Sequence, residues 1–136
     1  DMLFGNERHR SLMLSPLTSP AARDAAHGLL ASDKARVGVL RDSAGLVAQR
    51  VVATIVNIGC DIAQQGIAAP ADIDRAVTLG LGYPHGPLAW GDKLGAGTVL
   101  AVLNNMLALG GDPRYRASPW LRRRAALGVS LLTPEA

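Results

Sequence analysis

The sequence predicts a mainly α-helical bundle. Three observations carry that prediction. Apolar residues recur at helical spacing from Leu46 to Gln65. Prolines open helices at Ser19-Pro20, Ala69-Pro70 and Ser118-Pro119, where the missing N–H costs nothing. Glycines close them at Gly66, Gly80 and Gly110-Gly111. Against these stands one short β-like stretch, Val37 to Leu40.

The chain has 136 residues, 49% hydrophobic and 18% charged, which suits one globular core rather than a disordered segment. One cysteine, Cys60, allows no internal disulfide, and a cytoplasmic location is the expectation. The longest uncharged run, Leu94 to Gly111, falls short of the roughly 20 apolar residues of a membrane span, so no membrane partner is expected. The net charge of +3 reflects a cluster of Arg114, Arg116, Arg122, Arg123 and Arg124. Without aromatic interleaving or a reader motif, it reads as a solvated face. A site for an acidic partner or a phosphate is the functional alternative, and no nucleic-acid partner is expected.

Asp1 to Pro16 shows no clear period and is expected to be an irregular arm. Ser19 caps a helix over 21–31 with Ala22, Ala26, Leu29 and Leu30 on its apolar side. Val37 to Leu40 is read as a strand without an obvious partner in the chain. Asp42 to Gly45 forms a turn into the central helix. Its stripe is Val47, Val51, Ile55, Ile58 and Ile62, widened by Val52, Val56 and Ala63, with Asn57 on the polar strip. Ile73, Ala76 and Val77 face the core from the next helix. A short helical turn follows over 88–92, then a longer helix from about Gly97 to Leu109, then a last one from Pro119 through Ala126. The tail to Ala136 is expected to be loose.

Between two of these helices runs a corner dense in glycine and proline, Leu79 to Asp92. Tyr83-Pro84 and Pro87 disfavour helix there, while Gly80, Gly82 and Gly86 permit sharp turns. It reads as a rigid corner lining a cleft. His85 within it has no carboxylate nearby in sequence, so it is read as a turn histidine; a general base would need an orienting partner. Cys60, in an apolar helix, reads as a small buried hydrophobe. Gln49, near the start of the central helix, is either an amide on an open face or a contact to substrate. Asn104-Asn105 must satisfy their amides, and an interface is where they are expected to do so. His9 and His27 have no metal-ligand spacing, and no metal, P-loop or GxGxxG motif is found.

Four spaced segments resemble the C-terminal domain of 3-hydroxyacyl-CoA dehydrogenases. Asp42 to Arg50 resembles that family's "D-x-P-G-F-x-x-N-R", and Gly66 to Ala76 its "G-x-A-x-x-x-D-I-D-x-A". Leu79 to Leu88 is similar to "L-G-x-G-Y-P-x-G-P-x", and Gly111 to Leu121 to "G-D-P-R-Y-R-P-S-P-x-L". The resemblance spans about 41–127. It implies a helical domain of the kind shared with 6-phosphogluconate dehydrogenases, here with one short strand remnant. Residues 1–40 are then a linker or the remnant of a dinucleotide domain, and 41–136 the helical domain.

The family's full-length members oxidise the 3-hydroxyl of an acyl-CoA with NAD. An N-terminal Rossmann domain holds the cofactor and a catalytic His–Glu pair, and the helical domain closes the cleft and supplies a dimer contact. The resemblance therefore implies NAD bound outside this chain, an acyl-CoA substrate, a homodimer, and a fragment inactive by itself, with no catalytic, cofactor or metal residue of its own. The substrate-binding residues it points to are Gln49, Tyr83, Pro84, Gly86 and Pro87. Gln49 departs from the family's Asn, and with the Pro87 to Gly91 variant it resembles a second, degenerate copy of the domain found in phenylacetate-type members. The competing reading is a non-catalytic helical dimerisation or interaction module.

Overall fold

A computed structural model describes residues 8–135. Phe4 and Glu7 of the expected arm lie outside the described residues. The chain divides into two units, 1–49 and 50–136.

Unit 1 holds strand β1 (His9–Leu14), helix α1 (Pro20–Leu30) and strand β2 (Arg36–Arg41). The strands pair in parallel, His9 opposite Arg36 through Leu14 opposite Arg41. This corrects two expectations, since part of the arm is a strand and the 37–40 stretch has a partner. A parallel pair needs a crossover, which α1 supplies. Ser19 caps α1 as expected, accepting from the Ala22 N–H at 3.2 Å. No residue of α1 is buried, however, so Ala22, Ala26, Leu29 and Leu30 do not form a closed core face. Arg10 ties the unit together, reaching the Asp33 carboxylate and the Leu30 carbonyl from β1. That ion pair, with the Ala35 N–H, holds the Asp33 carboxyl below the usual carboxylate range.

Unit 2 is helical. Its elements are α2 (Ala48–Gln64), α3 (Pro70–Leu81), α4 (Pro87–Leu94), α5 (Ala96–Gly110), a 3-10 turn at Pro113–Tyr115, and α6 (Pro119–Leu127). The first two residues of α2 belong to unit 1. Helix α2 starts later than the turn at Asp42–Gly45 suggests, because Gly45 and Leu46 both adopt positive φ and only then does the chain enter the helix. At the other end, α3 runs past Gly80 to Leu81, and Gly82 with φ 66° ends it. Gly66, Gly111 and Gly128 also take the left-handed conformation after their helices. Ser118 caps α6 through the Leu121 N–H at 3.2 Å.

The buried side of α2 is Val52, Val56, Cys60 and Ala63. The stripe expected to face the core points outward instead: Val51 is 48% and Ile58 54% exposed. The inner side carries Gly59, and α4 presents Gly91 to it, so that the two helices approach closely. A Cβ on Gly59 would lie 2.9 Å from Pro87 Cβ, and one on Gly91 2.7 Å from Val56 Cγ1. Asn57, expected on the polar strip, is buried. Its amide donates to the Arg116 carbonyl at 3.0 Å and accepts from the Ser118 N–H at 2.8 Å, so it joins α2 to the start of α6. Asn104 and Asn105 are exposed and need no interface to satisfy them.

The tail is not loose. Leu131 is fully buried, filling the space above Gly91. Asp92 receives the Leu131 N–H at 2.7 Å and the Ser130 hydroxyl, while Trp120 donates to the Leu131 carbonyl at 3.3 Å. Arg124, grouped by sequence with a solvated face, is buried over the Trp120 ring. Burial lowers its pKa from the ordinary arginine value.

Candidate functional site

The corner between α3 and α4 is built from its prolines and glycines upward. Gly82 leaves α3, Gly86 takes an extended conformation before α4, and Pro87 occupies the first helical position. An α4 start with no capping side chain of its own would leave backbone N–H groups without acceptors. Asp74, one turn into α3, supplies both. Its two carboxylate oxygens accept the N–H groups of Leu88 and Ala89, each at 2.8 Å. A carboxylate there also complements the positive end of the α4 dipole. Gly86 is what lets Asp74 reach: a Cβ on Gly86 would lie 2.2 Å from Asp74 Cγ and 2.5 Å from Asp74 Cα.

The corner therefore has two sides. Gly86, Pro87 and Leu88 are buried, with Pro87 resting against Gly59 of α2. Tyr83 and His85 are half-buried and Pro84 is exposed, forming the accessible rim. Both aromatic rings meet Trp90 edge-on, Tyr83 at 6.4 Å between centroids and His85 at 6.0 Å. The Lys93 ammonium lies 3.3 Å from His85 Nε2. The rim thus offers apolar ring surface, a hydroxyl, an imidazole and a cation, enough to bind an acyl chain or an amide. A base would need a carboxylate to orient it, whereas His85 faces an ammonium and Asp74 is committed to backbone.

Of the sequence-derived site residues, Tyr83, Pro84, Gly86 and Pro87 come together in this corner, on its two different sides. Gln49 belongs to the other unit, in the first turn of α2 and half-buried. Trp90, Lys93 and Asp74 join the corner without any sequence signal that marks them as site residues. Asp74 lies inside the "D-I-D" segment, but nothing in sequence spacing links it to an amide fourteen residues on. Cys60 is fully buried, and burial pushes its thiol up to about 12, so it is no nucleophile at neutral pH. Among the described residues, no group of three His, Cys, Asp or Glu could hold a metal ion, and no single helix is long and apolar enough to cross a membrane.

A left-handed glycine, a proline-led helix and a carboxylate from the preceding helix define a packed helical corner. A family model for the C-terminal domain of 3-hydroxyacyl-CoA dehydrogenase matches residues 45–130. The chain belongs to the 3-hydroxyacyl-CoA dehydrogenase family, of which it carries the C-terminal domain. It is 44% identical over 88 residues to a 3-hydroxyadipyl-CoA dehydrogenase of Escherichia coli, covering 65% of this chain and 18% of that protein. Over 82 residues it is 38% identical to a 3-hydroxybutyryl-CoA dehydrogenase of Clostridioides difficile, covering 60% of this chain and 29% of that one. Among solved structures, the (S)-3-hydroxybutyryl-CoA dehydrogenase PaaH1 of Ralstonia eutropha superposes with a TM-score of 0.85 at 26% identity, over 93% of this chain and 47% of that one. The chain spans less than half the length of each of these relatives.

Proposed function

We propose that this chain works as the cleft-closing and dimerising domain of an NAD-dependent 3-hydroxyacyl-CoA dehydrogenase. The observation that carries the reading is the corner itself. It holds its backbone rigid through Asp74 and Pro87 while leaving Tyr83, Pro84 and His85 accessible. In this reading Tyr83 and Pro84 line the acyl-CoA, Gly86 and Pro87 fix the wall behind them, and Gln49 hydrogen-bonds the substrate. NAD and the residues that abstract the proton belong to a Rossmann domain outside this chain. The parallel β1–α1–β2 unit is then the end of such a domain. The superposition on PaaH1 supports this, because unit 2 alone could not supply 93% coverage.

A second-copy role in a phenylacetate-type member is the finer form of the proposal. It is supported by Gln49 in place of Asn, and by the E. coli relative, of whose length the match takes a smaller share than it takes of the C. difficile protein. Homodimerisation is supported by the outward stripe of α2, where Val51 and Ile58 are about half exposed at helical spacing. A pure interaction module would use that stripe and leave the corner idle.

The test is binding of acetoacetyl-CoA to this chain, followed by the fluorescence of Trp90 against a Trp90→Phe control, and NADH-dependent turnover in the full-length parent with and without Gln49→Ala. The chain alone should bind without turning over. The parent should turn over and lose at least tenfold in kcat/KM on Gln49→Ala. A parent indifferent to Gln49→Ala, with no signal at Trp90, would leave only the assembly role.

A further inference from the structure

The rim of the corner ends in a cation that points against the usual direction. Lys93 stands in the last turn of α4, where an ammonium ordinarily serves the free carbonyls of the helix end. Its side chain runs the other way. Lys93 Nζ meets His85 Nε2 at 3.3 Å, and His85 lies two residues before Pro87, at the opposite end of α4. Pro87 to Lys93 spans roughly 9 Å of helix, so the lysine stem lies back along the α4 surface. Trp90 shares that face, one turn before Lys93. Its ring meets those of His85 and Tyr83 edge-on. Three rings thus form a strip with an ammonium fixed at its edge.

That ammonium has no counter-charge. An ammonium only donates, so His85 Nε2 is the acceptor, and an imidazole accepting there is uncharged. Both carboxylates that serve α4 are committed elsewhere. Asp74 accepts the Leu88 and Ala89 N–H groups, and Asp92 accepts from Ser130 and Leu131 of the tail. Among the described residues, no carboxylate makes an ion pair with Lys93. Lys93 is exposed while Tyr83, His85 and Trp90 are half-buried, so a ligand lying over the rings can reach the ammonium.

We propose that Lys93, positioned by His85, selects acyl chains that end in a carboxylate, so that the thioester taken by this corner is a dicarboxylic one. The inference rests on the reading of the corner as a wall of the acyl-CoA site. A strip of rings with a cation at its edge matches a chain that is apolar along its length and anionic at its tip. A chain ending in a methyl group gains ring contact alone and leaves the ammonium uncompensated. A terminal carboxylate adds charge-assisted hydrogen bonds from the donors that His85 leaves free.

The probes are CoA monothioesters of dicarboxylic acids of five to eight carbons, each paired with the fatty acyl-CoA of equal carbon number. Both are titrated into the full chain and followed by Trp90 fluorescence, with Trp90→Phe as control. At one chain length or more the dicarboxylic ester should bind about fivefold tighter or better. That preference should shrink at high salt, since the pair is exposed. Lys93→Met, which keeps the apolar stem, should bring the dicarboxylic ester down to the level of its partner, and Lys93→Arg should keep the preference. Binding of both esters with no preference at any length overturns this inference and leaves the reading of the corner standing. No Trp90 signal with any ester overturns both. If Lys93→Met weakens both kinds of ester alike, the ammonium meets the CoA phosphates rather than the chain end, and the inference falls.

Discussion

The Asp74 carboxylate occupies the volume into which a side chain on Gly86 would project, so the two positions are packed as one unit. The contact serves α4, whose first two free N–H groups Asp74 accepts.

Gly86→Ala should therefore destabilise unit 2 by roughly 1–3 kcal/mol, because the new methyl meets Asp74 backbone as well as side chain. Asp74→Asn keeps one acceptor and loses the charge, and should cost about 1–2 kcal/mol. Urea unfolding followed by circular dichroism separates them: both midpoints should fall while the slopes stay equal to that of the wild type.

The tail is a second place where one residue carries much. Leu131→Ala should cost roughly 2–5 kcal/mol, the range for a large core residue cut to alanine where the site cannot collapse. Trp120 would lose the order of its carbonyl partner, so its emission should shift to the red before global unfolding. An unshifted spectrum with unchanged stability would mean that the tail is not held as described.

Cys60 gives a pH dependence with a definite sign. Its folded thiol titrates near 12 against an ordinary 9.0, so between these values the unfolded chain loses the proton first. Stability should fall as pH rises through that window, by about 1.4 kcal/mol per pH unit from this group, and be unaffected by it below 9. Cys60→Ala should flatten that part of the profile. At pH 8 the native thiol should resist alkylation.

The outward stripe of α2 predicts assembly. Sedimentation should report a dimer at tens of micromolar, and Ile58→Glu should shift it to monomer while changing monomer stability by no more than about 0.5 kcal/mol, as for an exposed position.

Much of this was legible in the sequence, and the exceptions have physical causes. Ser19-Pro20 and Ser118-Pro119 mark helix starts because cap and proline act locally. The corner is legible for the same reason. The two apolar faces of α2 are a harder case. Periodicity finds both Val51–Ile55–Ile58–Ile62 and Val52–Val56–Cys60–Ala63, but the choice between them rests on Gly59 and Asn57, whose partners lie far along the chain. Strand β1 carries His9, Arg10 and Ser11 and pairs with residues twenty-seven positions away, so neither its composition nor its neighbours announce it. Asp74 is chemically unremarkable until Leu88 and Ala89 are seen beside it. In the candidate site, the rim residues Tyr83 and Pro84 were found by motif, whereas Trp90 and Lys93 follow only from how α4 is turned.

Leu131 also bears on the order of events in folding. It packs over Gly91, forty positions back in the chain, a contact that requires a long loop to close. The helix pairs around the corner are local by comparison and close sooner. Docking of the tail belongs to the late side of the folding barrier, so its substitutions should leave the refolding rate nearly unchanged and accelerate unfolding. The tail sets how long the native helices stay together, and the corner sets how quickly they meet.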